Sequence, residues 1–139
     1  MPTHDISLDV GDSFTLRNEY GNHLHIIVAE SSPNDSAAIF LVYVSSGRGP
    51  HRDPTTIIKV GEHPFIELQK NESWVRYQNV IICSRDQIRG FITEHYGKVN
   101  PDLLNRIQDG VEKSDRVHDP DKELFRTWKM DKLFREMKS

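Results

Sequence analysis

The chain has 139 residues, 36% of them hydrophobic and 28% charged, with a formal net charge of -3. That length suits one domain, and such a chain buries roughly two-thirds of its unfolded surface, enough to fold without a disulfide or a metal. No apolar run approaches the ~18 residues of a membrane span, and Met1–Asp9 has neither a basic nor an apolar leader pattern. These features predict no membrane segment, and with Cys83 as the lone cysteine they fit a reducing, cytoplasmic setting.

The first two-thirds of the chain reads as short strands. Phe14 and Leu16 alternate with Ser13 and Thr15 after Gly11-Asp12. In the next strand Leu24, Ile26 and Val28 share one face, while His23, His25 and Ile27 take the other. A turn-rich stretch, Ser31 to Ser36, leads into the continuous apolar run Ile39–Val44, short enough for a strand buried on both faces. Gly47-Arg48-Gly49-Pro50-His51-Arg52 reads as an exposed basic loop and a candidate local anion site. Thr55–Val60 and Trp74–Cys83 complete a set of five or six strands, the pattern of a small barrel or sandwich.

The last third changes character. Arg85–His95 holds one or two helical turns, and Asn100-Pro101 caps a helix that Gly110 stops. After a polar hinge at Ser114–Asp121 a longer helix runs to Lys138, with Leu124, Phe125 and Trp128 on one side and Met130, Leu133, Phe134 and Met137 on nearly the opposite one. The expected division is a β-barrel over residues 1–98 and a helical extension over 99–139 that packs on the barrel or on a partner chain.

Histidine is the natural acid or base near neutral pH, and His23, His25 and His63 sit where such chemistry would want them. His63 lies in a turn fixed by Gly61 and Pro64. Ser45 and Ser46 end the central strand, a place where hydroxyls contact phosphate. A metal set of His23, His25 and Glu30 fails on parity, because in a continuous strand residue 30 faces away from residue 25. No metal or other cofactor is expected. The chain also lacks a nucleophile elbow and a glycine-rich phosphate loop.

Gly11-Asp12-Ser13-Phe14, then His23–Val28, then Val42-Tyr43-Val44-Ser45-Ser46, resemble the opening strands of the PemK/MazF toxin family. Ser73–Tyr77 running to Asp86-Gln87-Ile88 is similar to its later strand and final helix, so the likeness spans about residues 9–92. The resemblance implies an SH3-like barrel, usually dimeric, that cleaves single-stranded RNA without metal and is held off by an antitoxin. The family's hydroxyl carries over to Ser45 or Ser46, and His23 stands where the family has an arginine.

RNA cleavage through its own 2′-hydroxyl needs a base, an acid and donors for the charge gathering on phosphate. The residues expected to carry it are His23 and His63 as the acid–base pair with Ser46. His25, Ser45, Arg48 and Arg52 are expected to contact the RNA. The expected partners are single-stranded RNA, an antitoxin protein and a second copy of the chain. A non-catalytic interaction module on the same barrel is the competing expectation.

Overall fold

The computed structural model describes residues 6, 8–18, 21–46, 52–65 and 72–138. Strands β1 (Asp12–Asn18), β2 (Gly21–Glu30) and β3 (Ala38–Ser46) form an antiparallel meander. Strand β7 (Ile92–Lys98) pairs with the outer edge of β1. The far edge of β3 is divided between two strands. Its first half, Ala38–Leu41, pairs with β6 (Ile81–Ser84), and Val44–Ser46 pairs with β5 (Ser73–Val75), which in turn carries β4 (Ile57–Ile58). Every pairing in this seven-stranded sheet is antiparallel. Three helices complete the chain: α1 (Arg85–Arg89), α2 (Pro101–Lys113) and α3 (Asp119–Lys138). The architecture is mainly β with C-terminal helices, as the sequence predicts.

Strand alternation divides the apolar residues between two cores. Leu24, Ile26 and Val28 of β2 meet Phe40, Val42 and Val44 of β3 on one face, and Ile58, Val75 and Tyr77 join the same cluster, so the sheet curls around it. Helices α2 and α3 close that cluster with Leu103, Ile107, Val111, Phe125 and Trp128. The opposite face packs Phe14, Ile27, Ile39 and Leu41 against Ile88 of α1, Leu8 and Ile92. On α3, Phe125 and Trp128 are buried while Met130, Leu133, Phe134 and Met137 are exposed, the two-sided arrangement read from the sequence.

Five local expectations are corrected. Strand β2 is not continuous: the register jumps between Ile27 and Ala29, so Val28 and Ala29 both turn into the same core. The bulge rotates Glu30 onto the face of His25, where it pairs with the buried Arg85. The β-prone run Trp74–Cys83 is broken by a 3-10 turn at Tyr77–Asn79, and only Ile57–Ile58 of Thr55–Val60 is paired. Helix α1 ends at Arg89, and residues 92–95 belong to β7, edge pairing having overridden helix propensity. Helix α2 passes through Gly110 to Lys113, because Gly110 is there for close approach. A Cβ at Gly110 would lie 1.9 Å from the Tyr77 hydroxyl and 2.4 Å from Thr56 Oγ1.

The Tyr77 hydroxyl donates to the Ile107 carbonyl at 2.8 Å and lies 2.7 Å from Thr56 Oγ1, so it has no slack to yield. Gly110→Ala is therefore expected to destabilise by about 1–3 kcal/mol through overpacking, against the gain of about 1 kcal/mol that helix propensity alone would give. Gly90, with helical backbone and nothing near its virtual Cβ, is the control: Gly90→Ala should be neutral or stabilising in the same urea titration.

Candidate functional site

On one face of the central strands a single stripe runs Ile39, Leu41, Tyr43, Ser45 along β3 beside Ile27, His25 and His23 of β2. At one end the stripe is apolar and packs beneath α1. Toward the end of β3 it turns polar and lines a groove of about 610 Å³. His23, Tyr43, Ser45 and Ser46 form one wall, and Ser73 and Arg76 come from β5 and the residue after it. Arg76 is fixed there by its backbone N–H, which donates to the Tyr43 carbonyl at 2.8 Å.

His23 Nδ1 lies 2.7 Å from the Tyr43 hydroxyl. Its Nε2 is shielded from solvent and has no hydrogen-bond partner among the described residues. Burial lowers the pKa of His23, which keeps the ring neutral at pH 7. Burial raises the pKa of Tyr43, and the positive charge of Arg76 partly opposes that rise. The Arg76 guanidinium lies 5.6 Å from the centroid of the Trp74 ring. With its amide oriented to suit, Gln78 accepts from Arg76 Nε at 3.1 Å and Nη2 at 3.2 Å. No carboxylate among the described residues forms an ion pair with Arg76, so its charge is left to act in the groove.

The other predicted site residues are placed differently. His25 is buried: its Nδ1 lies 2.9 Å from the His23 carbonyl, and its ring meets Tyr43 edge-on at 5.3 Å. It stands behind the groove wall and does not line it. His63 is also buried and does not line the groove. The Phe65 N–H donates to its Nδ1 at 2.9 Å, which leaves the proton on Nε2, 2.8 Å from Ser13 Oγ. The Ser13 hydroxyl then donates to the Gly97 carbonyl at 2.8 Å. Ser13 is paired with Ile26, on the face opposite to His23, so the sheet separates the two histidines. Arg52 pairs with Glu72 and is not part of the groove lining, and Arg48 lies outside the described residues. Among the described residues no cluster of three or more His, Cys, Asp or Glu is placed to hold a metal ion.

The sequence reading missed Arg76. Its only signal is position: an arginine directly after a short β-prone segment, in a run that looks like one strand until the turn at Tyr77 is known.

Neither a family model nor a curated protein matches the chain. The solved structures that match include an endoribonuclease in complex with its cognate antitoxin from a mycobacterial species, with a TM-score of 0.50 and 20% identity over 74% of this chain and 89% of that one. The chain has the fold of that endoribonuclease. The likeness read from Gly11–Phe14 and the strands that follow thus holds at the level of architecture. No helix among the described residues is long and apolar enough to cross a membrane.

The buried histidines make stability depend on pH. Burial lowers both His25 and His63 from 6.5 to about 4. Between those values the unfolded chain binds protons that the folded protein refuses, so stability falls as pH drops from 6.5 toward 4. The urea midpoint should be lower at pH ~5 than at pH ~7.5, and His63→Ala should narrow that gap while costing about 1–3 kcal/mol at neutral pH through the unpaired Phe65 N–H. A midpoint that is flat across this range would refute the neutral assignment.

Proposed function

We propose that the groove binds single-stranded RNA and cleaves it without metal, as a toxin-type endoribonuclease. The observation that supports this reading is that the groove brings together Arg76, a cation, and His23, a neutral imidazole, where among the described residues Arg76 has no carboxylate partner and His23 Nε2 no hydrogen-bond partner. An unpartnered, shielded ring nitrogen costs about 1–3 kcal/mol, and a native structure that keeps one calls for an explanation. In this reading RNA entering the groove uncovers Nε2, and a ribose 2′-hydroxyl supplies the missing bond.

In this reading His23 Nε2 takes the 2′-hydroxyl proton as the 2′-oxygen attacks phosphorus. The bond from phosphorus to the 5′-oxygen breaks, leaving a 2′,3′-cyclic phosphate, and the departing oxygen is protonated from water. Arg76 balances the charge that gathers on the phosphoryl oxygens, while the hydroxyls of Ser45 and Ser46 donate to them. Arg76 thus takes the part in contacting RNA that the sequence pattern suggests for Arg48 and Arg52. His63, with both ring nitrogens engaged, serves the fold. An antitoxin protein as partner and a homodimer belong to the same reading. The antitoxin is supported by the complex in which the mycobacterial endoribonuclease was solved, and the homodimer by the exposed apolar side of α3.

Cleavage of a long single-stranded RNA in EDTA tests the proposal. His23→Ala is expected to lower the rate ~10²–10⁴-fold, and Arg76→Ala ~10²–10³-fold, with both variants folded by circular dichroism. Because the pKa of His23 is lowered from 6.5, kcat/KM should rise with pH through a midpoint below that value and then level off. RNA bound by wild type but left intact would turn the assignment to a non-catalytic binding module. Cleavage that EDTA abolishes would overturn the metal-free mechanism.

A further inference from the structure

We propose that Tyr43 is the positioning residue for His23, its hydroxyl holding Nδ1 so that Nε2 is the nitrogen left to the substrate in every protonation state of the ring. The inference rests on the reading that His23 serves RNA cleavage. An imidazole that acts as a base passes through two forms: neutral with a free lone pair on Nε2, and doubly protonated once it has taken the proton. In both, Nδ1 carries a hydrogen and needs an acceptor. In the other neutral tautomer Nδ1 is itself an acceptor and needs a donor. A phenol hydroxyl is the group that answers both needs, by a rotation about its own C–O bond.

Among the described residues Tyr43 is alone in that role. Its hydroxyl lies 2.7 Å from Nδ1, and the two ring centroids are 4.9 Å apart. His25 approaches from the same strand, but its Nδ1 is engaged with the His23 carbonyl. Arg76, from the segment after β5, is a donor only and cannot accept from Nδ1. Tyr43 is itself held: the ring of His25 meets it edge-on at 5.3 Å, across the strand pair that joins His25 to Tyr43. The layers His25, Tyr43 and His23 therefore follow the order of orienting group behind base that nucleophile-activating sites use.

Tyr43→Phe removes the hydroxyl and keeps the ring contacts with both histidines, so the variant should fold. Two measurements on it decide the matter. The 15N shifts of the His23 ring, read without RNA, should lose the signature of a hydrogen-bonded Nδ1 while those of His63 stay in place. In RNA cleavage kcat should fall about 10–100-fold with KM within about 2-fold, the pattern of a misplaced group that does not itself bind substrate. Unchanged His23 ring shifts would overturn the proposal, as would altered shifts with an unaltered kcat. If wild type cleaves no RNA, the functional reading fails on its own account, and the ring shifts alone then decide whether Tyr43 holds Nδ1.

Discussion

Strand β3 has one edge and two strands to satisfy along it. β6 takes the hydrogen bonds of Ala38–Leu41 and β5 those of Val44–Ser46, and the chain must pass from one to the other within Arg76–Val80. That passage is what builds the groove. The Arg76 N–H closes the last bond to Tyr43, and the 3-10 turn that follows sends Tyr77 into the core. Neighbouring residues thus part: Arg76 lines the groove, and Tyr77 is fastened to Thr56 and to the Ile107 carbonyl of α2. The place of the cation depends on a helix that does not line the groove. Gly110, by letting α2 come this close to Tyr77, is part of the site's support though far from its chemistry.

The other end of the same sheet is held by a buried charge. Arg85 is 2% exposed, and its guanidinium donates to the carbonyls of Leu8, Ser32 and Asn34 while pairing with Glu30. Taking the pair out of water is costly, and removing one partner of such a pair destabilises by about 3–5 kcal/mol. What the arrangement provides is definition: two segments far from Arg85 in sequence, at Leu8 and at residues 30–34, converge on one planar group with fixed donor directions. The bulge at Val28 makes this possible, since without it Glu30 would point into the opposite core. The central sheet is therefore ionic at one end and carries neutral histidines at the other.

The sequence was legible where a single element decides the outcome. The alternation of Leu24, Ile26 and Val28 against His23, His25 and Ile27 matched both faces of β2, and the cap at Asn100 marked where α2 begins. It was misleading where a long-range contact decides. Gly110 looks like a helix stop because its reason, the Tyr77 hydroxyl, is 33 residues away in sequence (110 less 77). His63 looks like an available base because the turn around it is visible and Ser13 is not. Arg76 went unread since its run shows strand propensity throughout, and only the shared edge of β3 reveals that the chain must turn there.

The partition of charge in the groove also constrains the chemistry. Burial keeps His23 neutral, so an imidazolium is disfavoured in the free protein. A group so biased is suited to accept a proton and ill suited to be the resting acid. In the proposed function, RNA phosphate in the groove would oppose the effect of burial and raise the proton affinity of the imidazole, and Arg76 would limit that tuning by claiming part of the phosphate charge. In this reading the proton returned to the leaving oxygen comes from solvent at the open side of the groove, since His25 and His63 are locked into the fold by the His23 carbonyl and by Ser13 and Phe65.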